Sequence, residues 1–240
     1  MGRVALVTGG SRGIGAAISI ALKDTGYQVA ANYAGNDDAA REFSAETGIP
    51  VFKWDVADHD ACAAGVAQVA EQLGTVEVLV NNAGISRDGF LHKMPEENWD
   101  RVIDVDLNSC YHMSHAVLNG MRGAGFGRII SISSINGQCG MMGVVNYAAA
   151  KAGMLGFTKA LALENAVKGL TVNAICPGYV KTDLIAHVSD EVMDGIIKGI
   201  PVGRIGEPEE IARCVTFLAD DNAGFITGST ISVNGGAYMA

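Results

Sequence analysis

Positive charge is scarce in this sequence. Its 240 residues hold 17 Lys and Arg against 26 Asp and Glu, which gives a formal net charge of −9 at pH 7. A protein that binds nucleic acid normally presents a basic face to the phosphate backbone. The composition therefore excludes nucleic acid as an expected partner, although backbone dipoles and a few basic side chains can still hold an anionic cofactor.

Long hydrophobic runs are also absent. No apolar stretch reaches the roughly 20 residues that a membrane-spanning helix needs. The chain passes from Met1–Arg3 straight into a short apolar segment, and Leu6 stands where a myristoylation motif requires Ser or Thr. We therefore expect a soluble, cytoplasmic protein with no membrane partner.

The sequence lacks the usual patterns of disulfide and metal sites. Its five cysteines are scattered and form no Cys-x-x-Cys pair, which is typical of reduced thiols in a cytosolic protein. His112 and His115 are three residues apart, but no third ligand is apparent beside them. We therefore expect no metal site.

Aromatic residues make up only 6% of the chain and glycine occupies 31 positions, so small and aliphatic side chains must form the core. Apolar segments of strand length alternate with segments of helical periodicity. The predicted strands are Val4–Val7, Gln28–Asn32, Val51–Trp54, Val78–Val80, Arg128–Ile132, Leu170–Ile175 and Thr230–Val233. The predicted helices are Ile14–Leu22, Ala57–Leu73, Trp99–Met121, Tyr147–Val167 and Glu207–Leu218. This alternation predicts one α/β domain over residues 1–240, a doubly wound, Rossmann-type parallel sheet of about seven strands with helices on both faces.

Residues 181–204 interrupt the alternation between the sixth strand and the last helix. We predict that they form a small helical flap. A flap beside the carboxyl ends of parallel strands is well placed to act as a substrate lid.

A glycine-rich turn follows the first predicted strand and opens the first predicted helix. It reads Thr8-Gly-Gly-Ser-Arg-Gly-Ile-Gly15. Glycines at such a turn let the backbone approach a pyrophosphate, and the helix start supplies unpaired N–H groups and positive potential. The turn therefore predicts a dinucleotide site, with the spacing Gly-x-x-x-Gly-x-Gly.

Further motifs occur in a fixed order along the chain. They are Asn81-Asn-Ala-Gly84, Ser134 ahead of Tyr147-x-x-x-Lys151, Pro177-Gly178, and Val233-Asn-Gly-Gly236. With the glycine-rich turn, they make the chain resemble the short-chain dehydrogenase/reductase family over all 240 residues. The resemblance implies an oxidoreductase that exchanges a hydride between a nicotinamide cofactor and a carbonyl compound.

The resemblance also implies the cofactor site. Its residues would be Gly9, Ser11, Arg12, Gly13, Ile14, Gly15, Asn32, Asp55, Val56, Asn82, Ala83, Gly84, Tyr147, Lys151, Pro177, Gly178, Val180 and Thr182. The second strand ends in Ala31-Asn32-Tyr33, without the carboxylate that binds a ribose 2′-hydroxyl and repels a 2′-phosphate. Arg12 offers a planar set of donors for that phosphate. Both features favour NADPH, with NADH as the alternative.

Tyr147 and Lys151 are four residues apart, so they share one face of a helix. A phenol with a pKa near ~10 is a poor acid at neutral pH, and a neighbouring ammonium group makes a phenol more acidic. The resemblance implies that Tyr147 protonates the carbonyl oxygen and that Lys151 binds the nicotinamide ribose. Ser134 would donate a second hydrogen bond to the developing oxyanion.

Asp106 departs from the family pattern. Within the segment Trp99–Leu107, it occupies the place where the family usually has a catalytic Asn that holds a water of the proton relay. An aspartate accepts hydrogen bonds but lacks the amide donor and adds a charge. We expect an altered but functional relay, so Asp106→Asn should keep or raise activity. A large loss would assign the aspartate a role of its own.

Within the family, the chain is most similar to acetoacetyl-CoA reductases, which make (R)-3-hydroxybutyryl-CoA for polyhydroxybutyrate and related storage polymers. The segments Gly84–Asp88, Ser133–Gln138 and Ile200–Glu210 carry this similarity. The alternative is a 3-oxoacyl-(acyl-carrier-protein) reductase of fatty acid synthesis. Such enzymes tend to present two basic residues to the acidic carrier, where this chain has Gly125 and Lys168. That difference and the net charge favour an acyl-CoA thioester. The predicted substrate residues are Gln138, Met141, Met142, Gly178 and Tyr179.

Two further expectations concern the whole molecule. A non-catalytic nucleotide-sensing or scaffold protein is an alternative of another class, against which Ser134, Tyr147 and Lys151 argue. The resemblance also implies a homotetramer, with the Tyr147 helix and the last strand in its interfaces.

Overall fold

A parallel sheet of seven strands runs through the molecule. The computed structural model describes residues 2–182 and 189–239. The strands are β1 (Val4–Val7), β2 (Gln28–Tyr33), β3 (Val51–Lys53), β4 (Val76–Asn81), β5 (Gly127–Ile132), β6 (Leu170–Pro177) and β7 (Thr230–Val233). Their order is β3-β2-β1-β4-β5-β6-β7, and every neighbouring pair is parallel. The predicted doubly wound sheet is therefore confirmed.

Helices cover both faces of this sheet. They are α1 (Gly13–Asp24), α2 (Asp37–Thr47), α3 (His59–Leu73), α4 (Glu96–Ile103), α5 (Ser109–Ala124), α6 (Asn136–Cys139), α7 (Val145–Asn165), α8 (Asp190–Lys198) and α9 (Pro208–Ala219). One apolar cluster contains buried side chains of α3, α5 and α7, and the other contains those of α1, α2 and α9. Along β1, Val4 and Leu6 belong to the first cluster and Ala5 and Val7 to the second. A central strand buried on both faces in this way must be apolar throughout.

Helix α2 is not predicted by apolar periodicity. Only Ala40 and Phe43 of this helix are buried, so the apolar stripe is too narrow to stand out. The residues at its two ends indicate the helix more clearly. The Asn36 side chain caps the helix by accepting a 3.0 Å hydrogen bond from the Ala39 N–H, and Gly48 ends it with φ of 67°.

The predicted continuous helix Trp99–Met121 is wrong in one respect. The helical segment begins at Glu96, and a π-helical turn over Asp104–Asn108 separates α4 from α5. A π-turn inserts an extra residue and changes which side chains face inward. Val105 and Asp106, which are consecutive, are both buried here.

The predicted flap is described only in part. Residues 183–188 lie outside the described residues, and α8 occupies Asp190–Lys198. The two ends of the segment meet where Lys181 N–H donates to Gly206 O at 2.9 Å and Gly206 N–H donates to Tyr179 O at 2.8 Å. Its role as a lid stays a prediction. None of the described helices combines the length and the apolarity that crossing a membrane requires.

Candidate active site

The strand order reverses between β1 and β4. β1 pairs with β2 on one side and with β4 on the other, so the connections that leave these two strands run in opposite directions. In open α/β sheets, such a reversal opens a crevice at the carboxyl ends of the strands. Both the glycine-rich turn and the Asn81–Gly84 segment leave the sheet at this point.

The glycine-rich turn leaves the start of α1 open for an anion. Arg12 is the N-cap in extended conformation, and its side chain makes no capping hydrogen bond. Gly13 has φ of 52°, which favours glycine. A Cβ at Gly15 would overlap the Gly9 carbonyl oxygen and lie 2.6 Å from Asn82 Nδ2. The N–H groups of the first turn of α1 are therefore available to an anion, which suits a pyrophosphate.

Thr8 links the two sides of the crevice, a role that the motif analysis missed. Its Oγ1 accepts hydrogen bonds from Asn82 N–H at 2.9 Å and Ala83 N–H at 3.0 Å, and donates to Val80 O at 3.3 Å. The Asn82 side chain completes the link by donating from Nδ2 to Thr8 O at 2.9 Å. Asn82 and Ala83 thus border the glycine-rich turn. Thr8 begins the quoted motif, so its position was visible but its hydroxyl contacts were not.

Thr8→Val is expected to loosen this link. The variant keeps the shape of the side chain but removes the acceptor of two N–H groups, which should lower the free energy of unfolding by about 2 kcal/mol. It should also weaken binding of the predicted dinucleotide, because Asn82 and Ala83 lose their anchor. Urea denaturation and a fluorescence titration with NADPH would measure both effects. Thr8→Ser retains the hydroxyl and should behave like the unmodified chain; equal losses in both variants would contradict the role of the hydroxyl.

Asn32 lies beneath the glycine-rich turn. It is 1% exposed, its Oδ1 accepts a 3.4 Å hydrogen bond from Gly9 N–H, and its Nδ2 donates to Trp54 O at 3.0 Å. The side chain is therefore engaged with the protein's own backbone and supports the turn. Direct contact between Asn32 and a cofactor stays a prediction.

Asp55 and Val56 follow β3 on the side predicted for the adenine. Asp55 Oδ1 accepts from Ala57 N–H at 3.0 Å, and Oδ2 accepts from Arg101 of α4 at 2.7 Å. Burial raises the pKa of Asp55, but the Ala57 N–H and the Arg101 guanidinium more than offset this, so the pKa is lowered overall. Asp55 is thus a fixed carboxylate tied to α4. Arg101 was missed because its partner is 46 positions away.

The segment after β6 returns to the glycine-rich turn. A Cβ at Gly178 would lie 2.9 Å from Asn234 Cα, so this glycine permits close packing against the end of β7. Thr182 lies near Gly13, with its methyl group 3.6 Å from the position that a Gly13 Cβ would take. Pro177 accepts a hydrogen bond at its carbonyl from Ile135 N–H at 2.9 Å. The structure thus brings this part of the predicted cofactor site beside the helix start.

Lys151 is the centre of the predicted catalytic group. It is 3% exposed on α7, and its Nζ donates to Ile132 O at 3.1 Å and lies 5.4 Å from the centroid of the Tyr147 ring. Ser134 follows β5, and its Oγ accepts from Asn136 N–H at 3.1 Å. Ser133 Oγ donates to Lys151 O at 2.8 Å, which holds the loop of Ser134 against α7.

Asp106 contacts this group directly. It is fully buried, its Oδ2 lies 3.3 Å from Lys151 Nζ, and its Oδ1 accepts from Ile85 N–H at 2.9 Å. A Cβ at Gly84 would lie 3.0 Å from Asp106 Oδ2 and 3.3 Å from Lys151 Nζ, so glycine at this position leaves room for the pair. Burial raises the pKa of Asp106 against the opposing effects of Lys151 and the Ile85 N–H. Burial lowers the pKa of Lys151, but Asp106, with smaller contributions from Tyr147 and Cys110, more than offsets this, so the pKa is raised and the ammonium form is held.

Asn146, next to Tyr147, was also missed. It is fully buried; its Nδ2 donates to Arg87 O at 3.1 Å and Asn98 O at 3.4 Å, while its Oδ1 accepts from Tyr147 N–H at 2.9 Å. It therefore ties the start of α7 to the segment after β4. The sequence signals Asn146 only by its position next to Tyr147, a predicted catalytic residue.

The predicted substrate residues form two groups. Met141 and Met142 are exposed, and the Tyr179 hydroxyl donates to Met141 Sδ at 3.9 Å, so these side chains form a partly apolar surface. Burial, with Asp88 adding to it, raises the pKa of Tyr179. Gln138 instead exchanges hydrogen bonds with Ser232 of β7, at 3.0 and 3.2 Å. Its contact with a substrate stays a prediction.

A third histidine lies beside His112 and His115. The His59 ring centroid is 5.4 Å from that of His112 and 5.5 Å from that of His115. The sequence did not reveal this neighbour because it comes from α3. Within residues 2–182 and 189–239, no three His, Cys, Asp or Glu residues have an arrangement that could hold a metal ion. The group packs α3 against α5.

Comparisons with known proteins agree with this geometry. Residues 9–238 match a family model described as enoyl-(acyl carrier protein) reductase. The chain is 64% identical to the acetoacetyl-CoA reductase of Rhizobium meliloti (strain 1021) and 63% identical to that of Shinella zoogloeoides, each over the full length of both chains. It is 43% identical to a 3-oxoacyl-(acyl-carrier-protein) reductase of Haemophilus influenzae, over all of this chain and 99% of that protein.

Proposed function

The chain belongs to the short-chain dehydrogenase/reductase family, and we propose that it reduces acetoacetyl-CoA to (R)-3-hydroxybutyryl-CoA with NADPH. Membership makes it an oxidoreductase that uses NAD(P). The observation that carries the substrate proposal is the full-length identity of 64% and 63% to two proteins named acetoacetyl-CoA reductase. The buried Lys151 beside Tyr147 provides the chemistry that such a reaction needs.

The reaction adds a hydride to a carbonyl carbon and a proton to its oxygen. A nicotinamide cofactor, when bound at this site, would supply the hydride. Tyr147 donates its hydroxyl proton to the carbonyl oxygen, and the Lys151 ammonium stabilises the phenolate that remains. Ser134 donates a hydrogen bond to the same oxygen and stabilises the charge that develops there. These three residues account for protonation of the carbonyl oxygen and for stabilisation of the charge that develops on it.

The cofactor would lie along the carboxyl edge of the sheet. Its pyrophosphate would occupy the open start of α1, its adenine would lie near Asp55 and Val56, and its nicotinamide ribose would meet Tyr147 and Lys151. The preference for NADPH is supported by the missing carboxylate at the end of β2 and by the exposed Arg12 at the helix start. Asp37, the first carboxylate after β2, is paired with Lys53 at 2.8 Å.

The choice of acyl carrier is supported by charge. Gly125 and Lys168 are close together, because a Cβ at Gly169 would overlap the Gly125 carbonyl oxygen. At the two positions where carrier-dependent relatives are expected to present cations, this chain therefore has one cation, Lys168. With a net charge of −9, this favours CoA over an acidic carrier protein.

A direct comparison of carriers tests the proposal. Purified protein would be assayed by NADPH oxidation with acetoacetyl-CoA and with acetoacetyl-carrier-protein at equal concentrations. We expect a higher kcat/KM for the CoA thioester. A higher value for the carrier protein would instead favour the 3-oxoacyl-(acyl-carrier-protein) reductase, to which the 43% identity points.

The same assay with NADH tests the cofactor. We expect a lower kcat/KM with NADH than with NADPH, and the reverse order would overturn the assignment of Arg12. Measurable NADPH binding with no turnover of either thioester would favour the non-catalytic alternative.

We also propose the cellular role and assembly. An enzyme that draws on NADPH and CoA thioesters would work in the cytoplasm, in storage-polymer synthesis.

Leu163 of α7 and the nearby Val167 are 84% and 87% exposed, and burial of such apolar side chains against other copies supports a homotetramer. The segment with α8 would close over the substrate.

A further inference from the structure

We propose that Asp106 is a positioning residue whose fixed negative charge beside Lys151 keeps the Tyr147 hydroxyl protonated to higher pH. Reduction, which consumes that proton, would then extend to alkaline pH, and oxidation of the hydroxy product, which needs the phenolate, would begin at higher pH. The inference rests on the proposed function. It concerns the pH ranges in which the enzyme reduces the keto thioester and oxidises the hydroxy thioester.

The geometry places Asp106 against Lys151 and away from water. Asp106 is fully buried and Lys151 is 3% exposed, and 3.3 Å separates Oδ2 from Nζ. The π-turn Asp104–Asn108 places Asp106 in the interior directly after buried Val105. The Ile85 N–H fixes the second carboxylate oxygen at 2.9 Å. The anion therefore has one orientation and one cationic neighbour.

Burial raises the pKa of Asp106, and the contacts of the carboxylate oppose this effect by favouring its charged form. Lys151 Nζ and the Ile85 N–H are both donors, and a carboxylate that faces donors is stabilised as an anion. Oδ2 has no hydrogen bond within the described part of the chain, although Lys151 is near, so its interaction with the cation is electrostatic. This arrangement differs from a neutral amide, which would leave the ammonium charge uncompensated.

The other titratable groups near Lys151 carry little charge. Burial raises the pKa of Cys110 of α5 to about 11 and also raises that of Cys176 of β6, so both thiols stay neutral at physiological pH. The remaining contact of Nζ is the carbonyl of Ile132 on β5. Among these groups near Lys151, the charges that act on Tyr147 are therefore the Lys151 cation and the Asp106 anion, which oppose each other.

The sign of the effect follows from this opposition. The ammonium favours the phenolate, and the carboxylate disfavours it. At low effective dielectric, a charge several ångströms from a titratable group shifts the pKa of that group by about one unit or more. Removing the negative charge should therefore let Tyr147 lose its proton at lower pH.

The experiment compares Asp106→Asn with the unmodified chain in both directions of the reaction. kcat/KM would be measured from about pH 6 to about pH 10, for reduction of acetoacetyl-CoA and for oxidation of (R)-3-hydroxybutyryl-CoA. In the variant, the alkaline limb of reduction and the acidic limb of oxidation should both move to lower pH by about one unit. Asp104→Asn, in the same π-turn, is the matched control and should leave both limbs in place.

A spectroscopic titration separates this inference from the proposed function. The tyrosinate absorbance of each protein would be recorded against its own Tyr147→Phe counterpart, which isolates Tyr147 without any substrate. The phenolate should appear at lower pH in Asp106→Asn. If no thioester is turned over, the proposed function fails while this titration still tests the pair. Unchanged titrations in a folded Asp106→Asn variant would overturn the inference and indicate a neutral Asp106.

Discussion

Tyr147→Phe is expected to lower kcat/KM for acetoacetyl-CoA reduction by about 10²–10⁴-fold, the usual contribution of a positioned general acid. The ring is half-buried and keeps its packing, and Lys151 keeps its contacts with Ile132 and Asp106. The free energy of unfolding and the affinity for NADPH should therefore change little. Steady-state kinetics and urea denaturation would measure the two quantities on the same preparation.

Tyr111→Phe is a matched control for this prediction. Tyr111 is 50% exposed on α5 and stacks on His59, so loss of its hydroxyl should leave the rate unchanged. A Tyr147→Phe variant with nearly full activity would assign proton donation to another group. A variant that loses both activity and stability would indicate a structural role for the hydroxyl.

Lys151→Met is expected to affect both stability and activity. Methionine preserves most of the side-chain length but leaves Asp106 buried without its counter-ion, and breaking a buried pair on one side costs about 3–5 kcal/mol. Reduction should fall by about 10²–10⁴-fold, because the phenolate loses the ammonium and the ribose loses its donor. Denaturation curves and kinetics at saturating NADPH would test the two parts.

A double variant distinguishes the ion pair from simple packing. In Asp106→Asn/Lys151→Met neither member of the pair is charged, so part of the lost stability should return, with a coupling energy of about 1–3 kcal/mol. Activity should stay low, because the ammonium is still missing. If the double variant loses as much stability as the two single variants together, Asp106 and Lys151 do not interact.

The parts of the molecule that repeat a local pattern were predictable. β1 is a continuous apolar run because it is buried on both faces, and the bounds of β1 and β6 were predicted within two residues. The start of α1 was predictable because a pyrophosphate site requires glycines between a strand and a helix. Tyr147 and Lys151 followed from their spacing together with Ser134.

The parts that depend on distant partners were not predictable. The sequence motif predicts that Asp106 is a site residue, but its inward direction results from a π-turn that apolar periodicity does not reveal. His59 approaches His112 only because α3 packs beside α5. The hydrogen bond from Gly9 N–H to Asn32, which comes from the neighbouring strand, could not be found from the sequence. In each case, packing of elements far apart in sequence decides the role.

The hydroxyl contacts of Thr8 also bear on how the protein folds. They join the end of β1 to residues 72 to 75 positions later, and the strands between which they lie are neighbours in the sheet. Long-range parallel pairing forms slowly, because chain entropy is lost before contacts compensate for it. During synthesis, the nucleotide crevice can therefore form only after β4 has been made and has paired with β1. A ligand that binds only the completed crevice would favour this late step, so NADPH should act as a thermodynamic aid to maturation as well as a reactant.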